Sequence, residues 1–137
     1  MDEQDILARI NTHAPPFLDA LGGRMTAFDA QTKSGTTEYD IGTNLCHSVD
    51  VVQGGFVTAM LDAAMSHTVF AIDETLIGLS SLEIKTSFLE PTRAGQLRAV
   101  GTVIKWGYKL VFLESRLYNA QDLLTATAST VGKLQRR

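Results

Sequence analysis

The residue in this chain best placed for chemistry is Asp62, the one acid in QGGFVTAMLDAAMSH, residues 53–67. Phe56, Val57, Ala59, Met60, Leu61, Ala63, Ala64 and Met65 surround it with apolar side chains, and Thr58, Asp62 and Ser66 recur at intervals of four. On a helix those three stack as one narrow polar stripe along an otherwise buried element. An ionised carboxylate in such surroundings is costly unless paired. No Lys or Arg occurs from Ser34 through Ile84, whereas Glu38, Asp40, Asp50, Asp73, Glu74 and Glu83 fall in that stretch. Without a cation brought by the fold or by another subunit, the expectation is a raised pKa, the tuning that acid–base catalysis uses. The segment opens on Gly54 and Gly55. Free N–H groups at a helix start stabilise a developing oxyanion, and glycine lets a carbonyl approach closely.

Other reactive side chains are weighed against that centre. His47 lies in the turn-rich stretch Gly42 to Val52 just ahead of the helix, where it can reach the same carbonyl or a water, or serve the structure. Ser66 and Thr58 either meet a substrate or hydrogen-bond back to the preceding turn. Cys46 adjoins His47, but sequence neighbours in extended chain point apart, so a thiol nucleophile is not expected. His47, Asp50 and His67 lack metal-ligand spacing, and there is no second Cys. No metal is expected, and Gly54-Gly55 lacks the longer pattern and Lys of a phosphate loop.

The elements that must position these residues follow from periodicity. Ile6, Leu7 and Ile10 predict a helix over residues 2–10, ended by His13-Ala14-Pro15-Pro16, with a short apolar piece over 17–21. Residues 24–30 and 36–41 read as a strand hairpin. After the long helix, which fades near Ile72, Leu82, Ile84, Thr86 and Phe88 alternate with Glu83, Lys85 and Ser87, predicting a half-buried strand over 81–89 with the two sets on opposite faces. Strands over 97–105, 108–118 and 123–131 follow, giving four hairpin-connected strands in a row. That order is an α+β domain in which one antiparallel sheet wraps a central helix.

Length and composition narrow the class. The 137 residues predict a single domain, 1–137, and 45% hydrophobic against 20% charged residues is an ordinary globular balance with no apolar run of membrane-span length expected. The acidic start MDEQDILARI and the single cysteine point to the cytoplasm. Net charge is −3, with three cations and twelve anions in residues 1–84 and nine against three in 85–137. The later cations are spread along strands, so a phosphorylated small molecule is a better expectation than nucleic acid. Arg93, Lys105 and Lys109, at strand ends and turns, are the candidates to hold its phosphates.

The segment QGGFVTAMLDAAM, the turn SFLEPTRAG and the order of elements resemble the hotdog-fold thioesterases of the phenylacetate-pathway type over nearly the whole length. The resemblance implies a six-stranded hotdog sheet and hydrolysis of acyl-coenzyme A thioesters without a cofactor. It maps the general base or nucleophile onto Asp62, the oxyanion donor onto the Gly54 N–H, and substrate contacts onto Gln53, Gly55 and Ser81. Two positions depart from the family pattern: Gln53 stands where His is usual, and His47 where Asn or Gln is common. A non-hydrolytic acyl-coenzyme A binding module and a hotdog hydratase or dehydratase are the alternatives. Eight residues separate Gly54 from Asp62, about 12 Å of helix, too far for one carbonyl. A second helix lying antiparallel solves this, so a homodimer is expected, and the resemblance implies a dimer of dimers.

Overall fold

A computed structural model describes residues 1–137. The elements in order are α1 (Glu3–Thr12), α2 (Phe17–Ala20), β1 (Arg24–Asp29), β2 (Ser34–Ile41), a single 3-10 turn (Thr43–Leu45), β3 (Cys46–Ser48), β4 (Val51–Val52), α3 (Gly54–Ile72), β5 (Leu76–Phe88), β6 (Gly95–Trp106), β7 (Leu110–Asn119) and β8 (Leu124–Arg136). The six long strands form one antiparallel sheet in the order β1-β2-β6-β7-β8-β5, and β3 pairs with β4 separately. The sheet curls around α3, whose Met60, Leu61, Ala64, Met65 and Val69 are wholly enclosed against Ala99, Val111, Leu117 and Ala126. This is the hotdog fold expected from the sequence. At 19 residues, α3 is, against expectation, long and apolar enough to cross a membrane, but its apolar surface is packed against the sheet.

The sheet order corrects the expected run of four hairpins. Only β6-β7-β8 are joined that way, because β5 pairs with β8 and β6 pairs with β2. The segment 89–94 carries the chain from one edge of the sheet to its middle. It is pinned beneath the start of α3: Val52 N–H donates to Thr92 O, Ala94 N–H to Asp50 O, and Leu89 and Glu90 N–H to Thr125 O. Nothing in local periodicity encodes that crossing, since hairpin and crossover strands alternate alike.

A second correction concerns β5. It begins at Leu76, and Leu82 is an extra residue in a bulge, since Ser81 pairs with Gly132 and Glu83 with Val131. Leu82 therefore stands 57% exposed, while Ser81 shares the helix-facing side with Ile84 and Thr86. The uninterrupted alternation read from the sequence gave that side to Leu82.

Candidate active site

The turn of α3 that carries Asp62 rests directly on three strands. Tyr39 of β2 donates its hydroxyl to Met60 O at 2.7 Å, and Ser115 of β7 donates to Leu61 O at 3.2 Å. At Gly101 of β6 the backbones touch: a Cβ there would lie 2.7 Å from Ala64 O, and Thr68 Oγ1 donates to that same carbonyl. These contacts fix the roll of the helix and leave the Thr58–Asp62–Ser66 stripe as the side that the sheet does not fully cover. The stripe expected from spacing is thus present, and Tyr39, Ser115 and Gly101 are the residues that aim it. Sequence reasoning missed all three, because a strand hydroxyl that bonds a helix carbonyl looks like any other strand residue.

Asp62 makes no ion pair in the chain. Its one side-chain partner is Ser81, whose Oγ donates to Oδ1 at 3.2 Å. Burial pushes the Asp62 carboxyl above its usual value, and the Ser81 bond offsets part of that. Tyr39 senses the same charge: burial first, and then Asp62, drive its phenol upward, so it remains a donor. Thr58, one turn earlier on the stripe, is hydrogen-bonded to Thr86 of β5 at 2.9 Å.

At the start of α3 the donors are nearly all taken. Gln53 is the N-cap: its Oε1 accepts from Gly55 N–H at 2.7 Å and its carbonyl from Phe56 and Val57 N–H. Gly54 N–H has no partner and is the one free donor of the first turn. Gly55 therefore has no N–H to offer a substrate, and Gln53 spends its carbonyl oxygens on the helix rather than on a ligand. Gly54 opens on a cavity of about 430 Å³ shared with His47, Val51, Val57, Phe88 and Pro91. His47 stands exposed at its rim, with Nδ1 2.7 Å from Ser48 Oγ.

Asp62 opens on a different cavity, about 690 Å³, between α3 and the α1–α2 linker, together with Ser66, His67, Phe70 and Phe17. The chain thus presents the free N–H and the carboxylate in two cavities along one helix. The three candidate phosphate cations are likewise apart. Arg93 precedes β6 beside the Gly54 cavity and pairs with Asp50 at 2.7 Å. Lys105 ends the same strand and Lys109 follows its turn, both exposed and about 35 Å away at some 3.3 Å per strand residue. A single coenzyme held by one chain does not reach both groups.

The family model of the thioesterase superfamily matches residues 50–126, the span from the loop before α3 to the start of β8. The chain belongs to the thioesterase superfamily. This thioesterase is similar over 93% of its length to the phenylacetic acid degradation-related protein of Ralstonia eutropha JMP134, with 28% identity, a TM-score of 0.85 and 98% of that chain covered. It shares its fold with thioesterase HI1161 of Haemophilus influenzae (17% identity, TM-score 0.84, 95% of this chain and 90% of that one). The PaaI protein of the E. coli phenylacetic acid degradation operon has the same fold (16%, 0.81, 93% and 90%). No curated protein sequence matches the thioesterase. It is a thioester hydrolase of the hotdog fold.

Proposed function

We propose that the thioesterase hydrolyses an acyl-coenzyme A thioester at a site shared by two copies of the chain, with Asp62 as the base and the Gly54 N–H as the oxyanion donor. The observation that carries this reading is the pairing of functions on one helix: a carboxylate without a cation, and, two turns away, the single free N–H of the first turn. Antiparallel helices about a two-fold axis bring Gly54 of one chain beside Asp62 of the partner subunit. The long edge strand β5, with Ile77, Leu82 and Phe88 more than half exposed and no neighbour on its outer side, supports a copy seated there. Leu110 and Phe112 on the outer face of β7, opposite the enclosed Val111 and Leu113, support a further pairing of dimers.

In this scheme the carbonyl oxygen points at the Gly54 N–H. Asp62 takes a proton from water as the water oxygen bonds to the carbonyl carbon, and negative charge develops on the carbonyl oxygen. When the oxyanion collapses, the carbon–sulfur bond breaks and the proton passes to the departing sulfur, giving the acid and the coenzyme thiol. Ser81 holds Oδ1, which leaves Oδ2 for the water. His47, at the rim of the oxyanion cavity, orients the thioester, and Arg93 beside it is the cation retained for the coenzyme phosphates. Thiol release over a panel of acyl-coenzyme A substrates tests the reading. Asp62→Asn is expected to lower kcat by roughly 10²–10⁴-fold with KM little changed. Hydrolysis at the wild-type rate by that variant removes Asp62 from the mechanism, and binding without thiol release makes the chain an acyl-coenzyme A binding module.

A further inference from the structure

The two edges of the sheet differ in what covers them. At one edge β5 runs for 13 residues with no neighbouring element on its outer side. At the other, β1 has 6 residues and lies under α1. Leu7 and Ile10 of α1 close with Met25 and Phe28 of β1 around a small core of their own. The polar groups of this edge are met as well. Asn11 Nδ2 donates to Met25 O at 2.9 Å, and Met25 N–H donates to Asn11 Oδ1 at 2.8 Å. A hydrogen-bonded residue pair in an antiparallel ladder exchanges the same two bonds, so the Asn11 side chain takes the place of one residue of a further strand. Glu3 Oε2, about two turns earlier on α1, accepts from Phe28 N–H at 3.4 Å. Between Met25 and Phe28 the strand bulges, which breaks the flat row of groups that an added strand needs.

We infer that α1 is an edge guard, an autoinhibitory contact that confines strand pairing between copies of the chain to β5 and so ends assembly at a closed particle. Only the two-fold pairing through β5 is taken from the reading above. A dimer joined through β5 has two sheet edges left, and both are β1. Unguarded, each would fit the β1 of another dimer, and with one such edge at either end the joined sheets would have no natural end. A helix suits the task because its own backbone bonds run along its axis and offer nothing sideways to a neighbouring strand. The guard does not hang on β1 alone. Arg9 Nη2 donates to Phe70 O and Ala71 O at the end of α3, which ties α1 to the central helix.

The test follows the mass of the full chain against concentration by light scattering, in the wild type, in Glu3→Ala/Asn11→Ala, and in that double variant with Ala27→Lys added. Wild-type mass should stay level once the particle has formed. The double variant should keep gaining mass, by about fivefold or more between roughly 10 and 200 µM. Ala27 is exposed on β1, and a lysine there sets like charges against each other across any β1–β1 pairing. Ala27→Lys should therefore return the double variant to wild-type mass. Lost stability alone predicts no such rescue, since the lysine restores neither bond to α1. Asn11→Asp is the milder variant if the double one does not fold: it keeps the acceptor for Met25 N–H, loses the donor to Met25 O, and should also gain mass and be rescued by Ala27→Lys. Level mass in a folded variant, or growth that Ala27→Lys does not reverse, overturns the inference. So does a Met25 amide that exchanges unprotected in the wild type. None of these outcomes touches thiol release, so the hydrolytic reading stands or falls separately. A monomeric wild type whose variant stops at a dimer keeps the guard and removes the pairing through β5.

Discussion

At the residue scale, the role proposed for Asp62 carries a cost in stability. Its carboxyl is raised above the usual 3.8 by burial, so the folded state disfavours the charged form. Below that value the group is protonated in folded and unfolded chains alike and has no effect. As pH rises through it the unfolded chain ionises first, and stability falls until the raised folded value is passed. Asp62→Asn should therefore melt at a higher temperature than the wild type at pH 7, and the gap should close by about pH 3 in a series of melting curves. A second measurement concerns how Asp62 acts. If it activates water, single turnover in ¹⁸O-labelled water puts the label in the product acid, whereas attack by the carboxylate itself leaves the label in the enzyme.

At the scale of elements, the seating of α3 on β2, β6 and β7 sets where the carboxylate points. Gly101 is the tightest of these contacts, because its α-carbon faces helix backbone and not a side chain that can turn away. Gly101→Val should push α3 off β6, cost roughly 1–3 kcal/mol in denaturant unfolding, and lower kcat more than KM as Asp62 leaves its aim. Retention of full kcat by a folded Gly101→Val protein would show that the roll of α3 is not what positions the base. Leu82 makes the same point at the edge of the sheet. As the extra residue of a bulge it stands outside, and Ser81 instead of Leu82 meets Asp62.

At the scale of the whole molecule, the proposed two-fold arrangement makes a numerical prediction. If Gly54 faces Asp62 of the partner subunit and the reverse also holds, the residue on the axis is the one midway, Thr58. Its bond to Thr86 ties that point to the unpaired edge strand β5. In a Cys46→Ser background, Thr58→Cys should therefore be joined chain to chain by a short bismaleimide, while Thr43→Cys, well before the helix, should not. Light scattering should give at least a dimer at micromolar concentration. A monomer there, with activity intact, removes the shared site.

Most elements and the candidate reacting groups are legible in the local pattern of residues. Apolar periodicity marked α3 and most strands, and the four-residue spacing of Thr58, Asp62 and Ser66 defined the open stripe, because both depend only on local geometry. The isolation of Asp62 from cations was also legible, as a charge desert from Ser34 through Ile84. Tertiary structure alone decided which strand lies beside which, since ladder pairing depends on the crossing at 89–94 and not on any strand's own pattern. It decided that Ser81 faces Asp62, through a bulge that periodicity does not reveal. It decided that Gln53 occupies Gly55 N–H and leaves Gly54 free, a matter of one side-chain rotamer. And it turned His67, on the buried side of a helical wheel, toward a cavity whose opposite wall comes from the α1–α2 linker some fifty residues earlier.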